Sequence, residues 1–102
     1  AREAGEPVDV AVSGVAADSL GARRLGALAW PITQAQVQDA LLLEDDAIRA
    51  AQRWMWQELR LAVEAAAALP LAALQTGAYA PREGERVCLI VCGANTDPAA
   101  LA

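Results

Sequence analysis

Few side chains in this sequence have the type and placing to do chemistry. Cys92 closes the apolar run Val87–Val91 and opens the polar stretch Cys92-Gly93-Ala94-Asn95-Thr96-Asp97-Pro98. The run has the length and β-branched content of a strand buried on both faces. A polar, glycine-containing loop at the carboxyl end of such a strand is where open α/β sheets bind ligands. Asn95, Thr96 or Asp97 could cap a helix that starts at Pro98. Glu64 stands just ahead of an apolar, alanine-rich helix, where a carboxylate reads either as a site residue or as a contact with the helix dipole.

Several chemistries are excluded at the outset. The chain has no histidine, so Ser-His-Asp and Cys-His arrangements are impossible. It has no Gly-Lys-Ser/Thr phosphate loop and no lysine; all its basic residues are arginine. Glu44-Asp45-Asp46 reads as a helix start, because a Ca²⁺ or Mg²⁺ site needs more oxygen ligands at loop spacing. Cys88 and Cys92 lie four apart on one predicted strand. That puts them on one face about 13 Å apart, beyond the roughly 7 Å Cα limit for a disulfide. Two thiols without histidine also make a poor metal site.

The elements that must position these residues can be read from periodicity. Ile48, Ala51, Met55, Leu59 and Ala62 recur at spacings of three and four, with Arg49, Gln52, Arg53 and Gln57 on the other side. This predicts an amphipathic helix over Asp46–Leu61. Trp54 and Trp56 then face different sides and read as packing residues. Ala66–Leu74 predicts a second, largely buried helix, with Pro70 either kinking it or marking its true first turn. Pro7–Val12 and Ala40–Leu43 read as short strands. Gly14–Gly26 reads as a turn, a short helix and a second glycine break, and Ala27–Trp30 ends at Pro31. Gln75–Glu85, with Gly77, Pro81 and Gly84, reads as a surface loop. Strand, helix, helix, strand, helix predicts an α/β fold: a partial open sheet with packed helices.

Size and charge narrow the setting. The 102 residues suit one small domain. Alanine is about a quarter of them, so the core is thinner than the apolar fraction suggests. A net charge of −5 argues against nucleic acid as a partner. No apolar run reaches the roughly 18 residues of a membrane span. Reduced cysteines suit the cytoplasm. The polar start, Ala1–Glu6, has no initiator methionine and no signal-peptide pattern, which predicts an internal piece of a longer polypeptide.

Three segments together resemble one family, the pyridoxal-phosphate-dependent serine/threonine dehydratases of the tryptophan-synthase-β type (fold type II). Cys92-Gly93-Ala94-Asn95 resembles the family's Ser/Cys-Gly-Gly-Asn. The resemblance implies that Cys92 hydrogen-bonds the pyridine nitrogen of the cofactor beside Gly93. Asn95 matches an asparagine that contacts a nucleotide effector in some relatives. Val63-Glu64 with the following helix resembles Glu-Pro-Ser-Gly-Ala, which implies that Glu64 lies near cofactor and substrate. Here Ala65 stands in place of the proline and Ala67 in place of the glycine. Ala16-Ala17-Asp18-Ser19-Leu20-Gly21-Ala22 resembles Ala-Asp-Gly-Leu-Ala, which implies that Ala17 packs against a face of the cofactor ring.

The resemblance implies the C-terminal part of the family's large cofactor-binding domain. It implies an intact enzyme that converts threonine or serine to a 2-oxo acid and ammonia, with racemization as a close variant. The chain itself lacks the lysine that attaches the cofactor. It is therefore expected to be inactive alone and to depend on the rest of the parent chain, with self-association as a further expectation. The rival expectation is a stand-alone, non-catalytic α/β module that binds a partner through its apolar faces.

Overall fold

The computed structural model describes residues 1–101. Among them are three α-helices: α1 (Ala29–Gln36), α2 (Asp45–Leu59) and α3 (Ala65–Gln75). A 3₁₀ turn, Pro98–Leu101, ends the described chain.

The helix α2 forms where the apolar stripe and the acidic start predict it. Asp45 and Asp46 occupy its first turn, where negative charge meets the positive end of the helix dipole. Its inward face carries Ile48, Ala51, Gln52 and Met55. Leu59, expected on that stripe, is 51 % exposed, and Gln52, expected outside, is buried. The exchange has a cause: the Gln52 amide nitrogen donates to the Val63 carbonyl at 3.1 Å, so this polar side chain is satisfied where it is buried.

The helix α2 ends on Arg60, a non-glycine residue in the left-handed region at φ 55°. The Arg60 amide donates to the Trp56 carbonyl at 3.0 Å, and the Leu61 amide to the Met55 carbonyl at 3.1 Å. Such left-handed caps satisfy the last carbonyls of a helix. The Arg60 guanidinium lies 5.7 Å from the Trp56 ring centroid, within range of a cation–π attraction. Trp56 is half-buried and Trp54 exposed.

The helix α3 follows shortly after and packs against α2. Ala65, Ala67, Ala68 and Ala72 join Ile48, Ala51, Met55 and Val63 in one core. Ala51, Ala68 and Ala72 have no solvent exposure. Small side chains let the two backbones approach, so this core is made by proximity rather than bulk. Pro70 lies inside α3, which has already begun at Ala65. Pro31, expected to end an element, instead sits in the first turn of α1, where its missing N–H costs no helical bond.

The expected partial sheet does not form among the described residues, which contain no strand. Val87 is 40 %, Ile90 73 % and Val91 46 % exposed, and Leu42 is 97 % exposed. Both cysteines are free and exposed. Pro7–Val12 has one backbone bond to a later segment, from the Val10 amide to the Arg23 carbonyl at 2.8 Å. A strand apolar on both faces needs flanking strands and two covering layers, and the helical hairpin α2–α3 supplies no flanking strand. Gly14–Leu20 is a series of tight turns rather than a short helix. No helix among the described residues is long and apolar enough to cross a membrane.

Candidate functional site

The site grows from the start of α3. Glu64 precedes the first residue of that helix, and its carbonyl accepts from the Ala67 and Ala68 amides at 3.0 and 3.2 Å. Its own amide donates to the Gly93 carbonyl at 3.1 Å. Its carboxylate lies against Gly93. A β-carbon built on Gly93 would stand 2.6 Å from Glu64 Oε1 and 2.7 Å from Cδ. Glycine at 93 therefore makes room for a carboxylate, a reason set by packing rather than by backbone freedom. Cys92, the neighbour of Gly93, carries its thiol at the surface.

A cleft of about 400 Å³ opens beside this contact. Its walls include Ser19, Arg49, Arg53, Glu64, Asn95 and Leu101. Glu64 and Asn95 thus share one cavity with the turn that carries Ala17. Ala17, Cys92 and Gly93 are not among its lining residues. Leu101 is buried to 1 % exposure and closes one wall. Of the three cap candidates for the C-terminal turn, Asp97 serves: its Oδ1 accepts from the Ala99 amide at 3.0 Å.

The turn bearing Ala17 is held from two sides. The Ala17 amide donates to the Gly14 carbonyl at 3.2 Å, and the Leu20 amide to the Ala16 carbonyl at 2.8 Å. The Val15 amide donates to Asp45 Oδ2 at 3.2 Å. Periodicity assigns Asp45 to the helix start alone. Nothing in the spacing of Asp45 and Asp46 tells which carboxylate turns toward a segment thirty residues earlier. The inward Gln52 escapes sequence reasoning for a similar reason, since its partner is a backbone carbonyl beyond the helix.

In chemical type the side chains of Cys92, Ala17 and Glu64 are compatible with contacts to pyridoxal phosphate, although only Glu64 of the three lines the cleft. Cys92 offers a thiol that can hydrogen-bond a ring nitrogen, Ala17 a small side chain, and Glu64 a carboxylate. They do not suit its covalent attachment, because the chain has no lysine.

Known proteins resemble this chain over most of its length. Residues 1–93 match the family model described as pyridoxal-phosphate dependent enzyme. Phenylserine dehydratase of Ralstonia pickettii is 37 % identical over 100 residues, covering 98 % of this chain and 31 % of that protein. The biosynthetic L-threonine dehydratase of Salmonella typhimurium is 32 % identical over 98 residues, covering 95 % of this chain and 19 % of the relative. Among solved structures, a threonine deaminase from T.th. superposes with a TM-score of 0.80 at 31 % identity, covering 93 % of this chain and 34 % of that one. The chain spans about a third or less of the length of these relatives. Across nearly all of its length, in sequence and in backbone, the chain belongs to the pyridoxal-phosphate-dependent enzyme family, whose cofactor is pyridoxal phosphate.

Proposed function

We propose that this chain is the C-terminal part of the large cofactor-binding domain of a threonine or serine dehydratase. The observation that carries the reading is the fit of the Glu64 carboxylate over Gly93, the residue after Cys92. That contact joins two segments which the resemblance assigns to one cofactor site. The similarity to dehydratases that act on phenylserine and threonine supports a small hydroxy-amino acid as substrate.

In this reading the Cys92 thiol is a neutral donor of a hydrogen bond to the ring nitrogen. A neutral partner leaves the nitrogen largely unprotonated. The ring is then a weaker electron sink, which suits loss of a β-hydroxyl. Ala17 leaves one ring face free of bulk. Glu64, fixed through its own amide to Gly93, holds its carboxylate at the edge of the cleft. Asn95 lines the same cleft and is the position for a nucleotide effector. When bound, the cofactor supplies the electron-withdrawing ring that makes the Cα proton removable.

The lysine that attaches the cofactor must come from polypeptide outside this sequence. The exposed apolar runs Ala40–Leu43 and Val87–Val91 are the strands of the family's open α/β sheet in this reading, completed by strands from that remainder. The pure chain therefore yields no 2-oxo acid from serine or threonine, even with added cofactor. The polypeptide that joins it to a lysine-bearing remainder yields 2-oxo acid and ammonia. Turnover by the pure chain overturns the assignment, as does inactivity of the folded, cofactor-loaded parent on every hydroxy-amino acid tried.

A further inference from the structure

We propose that Asp45 is a positioning residue: by holding the turn Gly14–Leu20 against the start of α2, it sets where Ala17 meets the cofactor. This rests on the reading of Ala17 as a ring-face residue.

Two observations on the one carboxylate carry it. One carboxylate oxygen, Oδ2, accepts from the Val15 amide at 3.2 Å. The other, Oδ1, lies where a side chain on Gly14 would begin, 3.0 Å from a β-carbon built there. Gly14 has φ +99°, a conformation that costs a residue with a side chain. The turn has thus adopted glycine-only geometry at the point where the carboxylate enters. The hold passes directly to Ala17, because the Gly14 carbonyl accepts from the Ala17 amide at 3.2 Å.

The neighbouring acids do other things. Asp46 faces Arg49 at 3.5 Å with its side chain 99 % exposed, and Glu44 makes no side-chain cap bond. Asp45 is therefore the member of the acidic trio that reaches across the chain. With Gln52 on Val63 and Glu64 on Gly93, it makes the α2–α3 hairpin the frame from which both candidate ring-contact segments hang.

The test compares Asp45→Ala, Asp45→Asn and Ala17→Phe in the full-length protein that contains this chain and a lysine. One readout is hydrogen exchange of the Val15 amide in the cofactor-free protein. The other is cofactor affinity, followed by cofactor absorbance on titration. Losing one hydrogen bond predicts exchange and dissociation constant both raised about three- to tenfold in Asp45→Ala. Asp45→Asn keeps an acceptor oxygen and is expected within about twofold of the parent in both. Ala17→Phe weakens binding without speeding exchange at Val15. If Ala17→Phe weakens binding while Asp45→Ala leaves it unchanged, the positioning role fails, whatever the exchange shows. If Asp45→Asn is as damaging as Asp45→Ala, charge rather than the Val15 bond is responsible and the proposal also fails. If Ala17→Phe binds cofactor like the parent, the ring-face reading itself is wrong, and the proposal falls with it.

Discussion

Glu64 and Gly93 are joined twice: the Glu64 amide donates to the Gly93 carbonyl at 3.1 Å, and the Glu64 carboxylate fills the space a side chain at 93 would need. The two contacts have different consequences. The first fixes where α3 begins relative to the loop after Cys92. The second makes the identity of residue 93 matter to the carboxylate rather than to the backbone.

Gly93→Ala is therefore expected to displace the Glu64 carboxylate more than it unfolds the chain. The clashing atoms are the far end of a flexible side chain, so the stability loss should stay below about 1 kcal/mol, under the usual cost of overpacking a rigid core. Paired with Glu64→Ala, the loss should disappear, because the partner of the clash is gone. Urea titration of both single variants and the double variant checks this. A loss that persists in the double variant would place the clash in the backbone instead.

Ala68 tests the opposite regime. It has no solvent exposure and lies between α2 and α3, where no flexible side-chain end can yield. Ala68→Leu should cost about 1–3 kcal/mol. The urea midpoint should fall with the slope unchanged, as expected when the native state loses stability without changing its compactness.

Arg60 separates two effects at the end of α2. Its left-handed backbone costs about 1–2 kcal/mol relative to glycine, while its stacking on Trp56 returns about 0.5–1 kcal/mol. Arg60→Ala keeps the strain and loses the stacking, so it should destabilise. Arg60→Gly loses both and should be more stable than Arg60→Ala by about 1 kcal/mol. Thermal melts of the two variants give the difference directly.

The loop before residue 86 has its own pH signature. The Tyr79 hydroxyl donates to the Glu85 carboxylate, at 2.8 Å to Oε2, and the Arg82 amide donates to the same oxygen at 3.1 Å. The bond to Glu85 holds the phenol above its ordinary 10.0, and the bond from Tyr79, then that from the Arg82 backbone, holds Glu85 below its ordinary 4.5. For Glu85 the folded value is the lower one, so its contribution is present above the carboxylate's ordinary range and lost as pH falls through the folded value. For Tyr79 it is the higher one, so its contribution is present below 10.0 and lost as pH rises through the folded value. The chain has one tyrosine, so tyrosinate absorbance reads this site alone. Glu85→Gln should move the titration down toward 10.0; an unchanged titration would mean the clasp is not made in solution.

The helices are legible in the sequence because their cause is local. The stripe from Ile48 to Met55 and the alanine run before Leu74 bury against each other within one hairpin, so expectation and structure differ by only one or two residues at each end. The run Val87–Val91 also carries a true signal, apolarity on both faces, but one that speaks of partners. None of the described segments pairs with it, and it stands exposed. Glu64 and Gly93 each stand out in the sequence, yet nothing in their separation along the chain says that they touch. Asp45 is visible only as helix-start charge, because its reach to Val15 depends on how Gly14 turns.

Cys92 offers the most direct test of the assignment to a dehydratase cofactor site. In the full-length, lysine-bearing protein, Cys92→Ala should weaken cofactor binding up to roughly tenfold or slow elimination, the worth of one hydrogen bond of about 0.5–1.5 kcal/mol. Cys92→Ser replaces the thiol with a hydroxyl that can donate the same bond and should be nearly silent. Cys88→Ala, four residues away and outside the loop, should change neither binding nor turnover. Cofactor titration and turnover on the three variants decide it. Loss in Cys92→Ala with recovery in Cys92→Ser is the predicted result; a Cys92→Ala protein that matches the parent in both measurements would contradict the account.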